Sequence, residues 1–197
     1  DLYKQAYTPW DWQPKLKEYA NSLGLLCFSS PFDKSAVDFL EKMKVPAYKI
    51  ASFEIVDIPL IKYIAAKGKP IIISTGIATK DDIELAIRTC KEEGNNQIIV
   101  LKCTSQYPTP LGEVNLLTMS DISQRFKVLV GVSDHTTENL VPLGSVALGG
   151  KVIEKHIILD RSLGGPEADF SLEPNEFKSM VELVRDMEKV LGKVTYK

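Results

Sequence analysis

Six short runs of apolar, largely β-branched residues punctuate the chain. They are GLLCFSS (residues 24–30), AYKIASF (47–53), PIIISTG (70–76), QIIVLKCTS (97–105), VLVGVSD (128–134) and VIEKHII (152–158). Most are near-continuously apolar rather than alternating, the pattern of strands covered on both faces. They recur about every 25 residues, an interval that fits repeated βα units with short loops. Between them the apolar positions take helical spacing. In TKDDIELAIRTCKEEG, Thr79 and Asp82 predict a capping box. Ile83, Leu85, Ala86, Ile87 and Cys90 form the stripe, and Gly94 stops the helix. In EPNEFKSMVELVRDMEKVLG, Pro174 opens a helix and Gly192 closes it. Phe177, Met180, Val181, Val184, Met187, Val190 and Leu191 should line one face. TPWDWQPKLKEYANSLG predicts another helix, begun after Pro14.

Strand and helix in strict alternation mean a parallel sheet, either doubly wound or closed into a (β/α)8 barrel. No GxGxxG or Walker lysine loop follows any run, which counts against the nucleotide-binding open sheet. Polar residues instead gather at the C-terminal end of every run. A site fed by all strands in turn is the habit of a barrel's top face. The expected fold is therefore α/β, a (β/α)8 TIM-type barrel. Six units are two short of eight, so the expectation is one domain over residues 1–197 carrying the last six βα units, without the first two strands.

Composition narrows the function classes. The 197 residues suffice for an independent core, and 44% apolar with 25% charged is ordinary for a globular domain. A net charge of −2 argues against a nucleic-acid partner. No apolar stretch approaches the roughly 20 residues of a membrane span. The cysteines Cys27, Cys90 and Cys103 are odd in number and far apart, which suits reduced thiols and a cytoplasmic location.

Both histidines, His135 and His156, stand at the ends of strand-like runs one unit apart. Neighbouring strands are about 4.8 Å apart, so the two rings can converge on one ion at about 2.1 Å. Alternation puts Ser133 with His135 on one face and Glu154 with His156 on one face, and turns Asp134 away. Two imidazoles with open positions suit Mn²⁺, Mg²⁺ or Zn²⁺ as a Lewis acid; a pair of hydrogen-bonded structural histidines is the alternative. A strand-end lysine can form a Schiff base or clamp an anion, which makes Lys49 and Lys102 candidates. Lys155 has the opposite parity and should point towards the helices and snorkel to solvent. Ser30, Ser52, Ser74, Thr75, Ser105 and Ser133 fall at the same rim, as donors for phosphate or carboxylate oxygens would. Gly164, Gly165 and Pro166 predict a tight turn presenting Glu167 and Asp169 near that rim.

The motifs FSSPFD, AYKIASFEI, IISTGIAT, LKCTSQYP, VGVSDHT, VIEKHIILDR and GGPEADFSLEP occur in order along nearly the whole chain. Together they resemble the sialic acid (nonulosonic acid) synthase family, which condenses phosphoenolpyruvate with an N-acetylated sugar. The wording of LYKQAYTPWDW and SSPFDKSAVDFLE is most similar to the pseudaminic acid branch, with N-acetylneuraminic and legionaminic acid synthases as alternatives. The resemblance implies a metal-dependent synthase acting on an acetamido sugar such as a 2,4-diacetamido-2,4,6-trideoxyhexose. It implies His135 and His156 as ligands of Mn²⁺ or Mg²⁺. It places Ser30, Lys49, Ser52, Ser74, Ser105 and Ser133 around phosphoenolpyruvate, and Glu54, Tyr107 and Glu167 near the sugar. Glu54 and Lys49 become the catalytic candidates, Glu54 in proton handling. The family commonly has Asp where Glu167 stands. It also implies two further strands ahead of this segment, a C-terminal antifreeze-like domain behind it, and a homodimer in the full-length protein. Two other readings predict different chemistry: a metal-free Schiff-base aldolase using Lys49 or Lys102, and a non-catalytic sugar-binding module.

Overall fold

The computed structural model describes residues 7–196; residues 2–6 of the LYKQAYTPWDW motif lie outside them. Five parallel strands form one sheet: β1 (Tyr48–Ile50), β2 (Ile71–Ser74), β3 (Ile98–Cys103), β4 (Leu129–Asp134) and β5 (Val152–Lys155). Among the described residues seven α-helices accompany them: α1 (Gln13–Ser22), α2 (Lys34–Lys42), α3 (Ile58–Ala65), α4 (Lys80–Glu92), α5 (Leu117–Phe126), α6 (Leu140–Ala147) and α7 (Pro174–Leu191). Spatial order equals chain order, β1-β2-β3-β4-β5, with every pairing parallel. A doubly wound sheet reverses its order at a switch point. A sheet that never reverses, with a helix in each crossover, curls as part of a barrel.

The first of the six expected strands, residues 24–30, does not form. Only Ser29 bridges to Tyr48, and Leu25 and Leu26 are exposed at 59% and 78%. An apolar run becomes a strand only where a ladder partner satisfies its backbone, and here the contact ends after one bridge. β5 is also shorter than the run that predicts it, so His156 lies just beyond the ladder and Ile157 bridges to Leu172. The Ala47–Phe53 run likewise yields three strand residues, and Ser52 and Glu54 belong to a 3-10 helix, Ser52–Val56.

Alternation sorts the side chains. Tyr48, Ile50, Ile71, Ile73, Ile98, Val100 and Val130 join the main core against Leu40, Ile61, Ile64, Ile83, Ile87, Met119 and Ile122 of the helices. The opposite parity carries Lys49, Ser74, Cys103, Ser133 and Glu154 to the concave side, where all five line one cavity. On that side β4 and β5 approach so closely at Gly131 that a Cβ there would stand 2.1 Å from the Val152 carbonyl oxygen.

Helix boundaries follow local chemistry. Thr79 caps α4 by accepting from the Asp82 N–H at 3.2 Å, and Asp82 accepts the Thr79 N–H at 2.8 Å, completing the expected box. The helix stops at Gly94, whose φ of +79° suits a residue without a Cβ. The helix α1 begins at Gln13, one residue before Pro14 rather than after it, because proline fits the first helical turn, and it buries no residue. The apolar face expected of α7 is largely uncovered: Met180 alone is buried, and Val190 is 79% exposed.

Candidate active site

A cavity of about 430 Å³ opens at the C-terminal ends of the strands. Nine of the eleven expected site residues line it: Ser30, Lys49, Ser52, Ser74, Tyr107, Ser133, His135, His156 and Glu167. Ser30 comes from before β1 and His156 from after β5, so curvature brings both ends of the strand series to one space. Glu54 and Ser105 do not reach the lining. They share another property with His135. Glu54 Oε2, Ser105 Oγ and His135 Nδ1 are the buried side-chain polar atoms left without a hydrogen-bond partner among the described residues. Such orphans cost free energy unless a ligand, ion or water satisfies them.

One side of the cavity is a polar relay. Lys49 is buried on β1, and its Nζ donates to Ser74 Oγ at 2.7 Å and to the Ile50 carbonyl at 3.1 Å. It also stands 3.5 Å from Glu154 Oε2, while Glu154 Oε1 accepts from Ser133 Oγ at 2.6 Å. The relay thus crosses from β1 and β2 to β4 and β5. Burial pushes the Lys49 pKa down, and the Glu154 and Glu54 carboxylates oppose that fall. Ser52 Oγ accepts the Gly76 N–H at 3.1 Å and lies 3.5 Å from Cys103 Sγ. A Cβ at Gly76 would meet Ser105 Oγ at 2.1 Å and Ser52 Oγ at 2.7 Å, so only glycine lets these hydroxyls converge.

The other side is aromatic. The His135 and His156 rings are 5.2 Å apart between centroids. Tyr107 meets His135 edge-on at 4.5 Å, and Phe170 stands edge-on to both imidazoles at 5.8 and 4.9 Å. His156 Nδ1 lies 3.1 Å from Glu167 Oε2. Burial, then the neighbouring His156, hold the His135 pKa below the usual imidazole value, which favours the neutral form that ligates metals. Among the described residues no group of three His, Cys, Asp or Glu side chains is placed to hold an ion. The donor set is therefore the imidazole pair. It fits a divalent cation whose other positions go to water or substrate, since His135 Nδ1 is unpartnered and a carboxylate orients His156.

The loop carrying Glu167 is tied down at its base. The Leu172 N–H donates to the His156 carbonyl at 2.9 Å, and the Ile158 N–H to the Leu172 carbonyl at 3.0 Å. Arg161 forks onto Glu176 of α7 at 2.5 and 2.8 Å and donates to the Ser171 carbonyl at 3.1 Å. Gly164 and Gly165 turn the loop at φ of +69° and +111°, as expected. Asp169 is exposed and does not line the cavity.

Two lysines depart from expectation. Lys155 has the expected helix-facing parity but does not reach solvent: its side chain is 1% exposed and pairs with Asp134 at 2.6 Å. Lys102 turns from the site and donates to the Cys103 carbonyl at 2.7 Å and to Thr104 Oγ1 at 3.0 Å. It is therefore no candidate for a Schiff base in this cavity. Glu154, Cys103 and Phe170 are site residues that the sequence reading did not assign. Strand parity could have found the first two, since Glu154 shares a face with His156 and Cys103 pairs with Ser133 across the ladder. All three cysteines are free, as expected.

The sequence pattern of the NeuB family matches residues 1–196. The chain belongs to the NeuB family. Pseudaminic acid synthase of Campylobacter jejuni is 46% identical over 98% of this chain and 56% of its own length. The N,N'-diacetyllegionaminic acid synthase of Legionella pneumophila is 42% identical over 90% of this chain and 51% of its own length. The crystal structure of N-acetylneuraminic acid synthetase from Leptospira borgpetersenii, in complex with citrate, superimposes with a TM-score of 0.94 at 32% identity. That match covers 100% of this chain and 68% of the other. The chain thus spans about half the length of the curated NeuB relatives it matches.

Proposed function

We propose that this NeuB chain carries the catalytic barrel of a nonulosonic acid synthase, condensing phosphoenolpyruvate with an open-chain acetamido sugar and releasing phosphate. One observation carries the reading: a single cavity holds the Lys49–hydroxyl relay on one wall and the imidazole pair on the other. Its volume of about 430 Å³ suits two small substrates side by side. The preferred product is pseudaminic acid, from a 2,4-diacetamido-2,4,6-trideoxyhexose, with legionaminic and N-acetylneuraminic acids as alternatives.

In this mechanism Lys49, Ser30, Ser52, Ser74 and Ser133 hold the anionic groups of phosphoenolpyruvate and present its C3 to the sugar aldehyde, and Ser105 backs them from behind the lining. His135 and His156 hold Mn²⁺ or Mg²⁺, which when bound polarises the aldehyde oxygen. A bond forms between C3 and the sugar carbon, water adds at C2, and the C–O bond to phosphate breaks. Glu54, whose buried and unpartnered Oε2 lies behind the lining, handles the proton of the attacking water or the sugar through a bridging water. Tyr107 and Glu167 border the sugar, and Phe170 keeps the imidazoles in place. Positioning and electrostatic stabilisation supply most of the rate, because phosphoenolpyruvate is already an activated nucleophile. The acting unit is a single barrel domain, completed and paired as a homodimer in the full-length cytoplasmic protein. No helix among the described residues is long and apolar enough to cross a membrane.

The test is phosphate release by the full chain with Mn²⁺ and a panel of acetamido sugars. Activity should vanish in EDTA, and His135→Ala and His156→Ala should each lose turnover while remaining folded. Full activity in EDTA rejects the metal-dependent synthase. Lys49 also supports a second reading, since its lowered pKa suits a Schiff-base amine. Inactivation by borohydride in the presence of substrate, together with indifference to EDTA, would select that aldolase. Binding of an acetamido sugar without phosphate release would select the non-catalytic module.

A further inference from the structure

We propose that Asp134, Lys155 and Thr136 form a positioning clamp that sets the separation and orientation of His135 and His156. Asp134 and Lys155 are partners across the β4–β5 ladder. Strand parity turns their side chains to the helix-facing side, each is 1% exposed, and Lys155 also borders the cavity. Lys155 Nζ donates to Asp134 Oδ2 at 2.6 Å and also to the Thr136 carbonyl. Asp134 Oδ1 accepts the Thr136 N–H at 2.9 Å, and Thr136 Oγ1 lies 3.2 Å from Asp134 Oδ2. The Asp134 carboxylate and Thr136 backbone therefore close an Asx turn whose middle residue is His135. Lys155 fastens that turn to the residue immediately preceding His156. Each imidazole follows a clamped residue directly, and both hang over the same ladder end.

Stability is a poor account of this arrangement. Desolvating two charges offsets much of their attraction, and an apolar pair of similar volume often serves as well. A salt bridge does what an apolar pair cannot: it fixes direction, because carboxylate and ammonium must meet at donor–acceptor distance. A ring that must aim a lone pair needs that constraint, and residues behind metal-binding imidazoles commonly supply it. The clamp rests on the reading of His135 and His156 as a working pair, and its test is built to fail separately from that reading.

The chain holds two histidines, so histidine-selective isotope labelling of the full chain isolates their rings for NMR, with assignment from His135→Gln and His156→Gln. The double variant Asp134→Asn/Lys155→Met removes both charges together and leaves no buried charge unpaired. It should lose the inter-ring contact and move the ring resonances of both histidines. Mn²⁺ affinity, read from the electron paramagnetic resonance of the free ion, should fall about 10–100-fold. The KM for phosphoenolpyruvate should stay at the wild-type value. Thr136→Val removes only a hydroxyl and should shift the same resonances less far in the same direction. A folded double variant with wild-type ring resonances and inter-ring contact overturns the clamp, even if its melting temperature falls. If the double variant does not fold, unchanged rings in Thr136→Val overturn it. If wild-type protein binds no Mn²⁺, the metal reading falls, and the ring contact still decides the clamp.

Discussion

Around β1, β2 and β3 the helix-facing side of the sheet is closed by apolar packing. Fully buried Tyr48, Ile50, Ile71 and Ile73 meet Ile61 and Ile64 of α3 and Ile83 and Ile87 of α4. Around β4 and β5 the corresponding cluster is small: Val114, Val132 and Val141, with Leu116 and Ile153 packed against it. That half of the sheet is joined instead by directional bonds, Asp134 to Lys155 on the helix-facing side, Ser133 to Glu154 on the concave side and Arg161 to Glu176 beyond β5. Apolar burial is nondirectional and tolerates repacking, whereas a hydrogen-bonded ion pair holds particular atoms at particular distances. The histidines stand on the directional side. One region supplies stability and the other supplies aim.

The largest effect should come from opening the apolar side. Ile73→Ala, at a residue 1% exposed, should cost about 2–5 kcal/mol, read from the shift of the denaturant midpoint. The folded fraction should keep its inter-histidine contact. A loss of that contact at full folding would break the division between the two regions. Gly131→Ala acts at the boundary, where the added methyl meets the Val152 carbonyl at 2.1 Å and Leu101 Cδ2 at 3.0 Å. Overpacking there should cost about 1–3 kcal/mol. Because the methyl wedges β5 from β4, it should also move both histidine ring resonances. Stability loss without movement of the rings would show that the strand ends are aimed independently of the ladder.

The smallest effect lies at the loop base. The hydrogen-bonded fork from Arg161 lowers the Glu176 pKa from 4.5 to about 2. A depressed folded-state pKa means stabilisation present in full above the unfolded value and lost as pH falls through the folded one. The gap in melting temperature between wild type and Glu176→Gln should therefore be constant above about pH 5 and close towards pH 2. A gap that widens on acidification would assign the carboxylate a different partner. Both groups are over a third exposed, so the gap is small and shrinks in salt.

Much of this was legible along the chain. Five of the six apolar runs became strands, because continuous apolar sequence marks a doubly covered strand whatever its neighbours are. Local chemistry was equally readable: Thr79 and Asp82 cap α4, and Gly164 and Gly165 turn the loop. The misreadings needed a partner that lies elsewhere in the sequence. Residues 24–30 have a strand's composition, but a strand also requires a ladder. The parity of Lys155 was readable, but its destination depended on the register that sets Asp134 opposite it. Phe170 reaches the imidazoles only because residues 157–172 fold back on themselves. Neither its spacing nor its residue type announced that.

The closed base of the Glu167 loop has an evolutionary consequence. His156 and Leu172 are joined by main-chain bonds, which do not depend on the side chains between them. The intervening residues behave as an exchangeable cassette, plugged in beside the imidazole pair at fixed terminals. Length and composition can drift there without relocating His156. The cavity wall beside the imidazole pair can thereby be reshaped by rewriting the 15 residues between those terminals, within the range of ordinary surface loops.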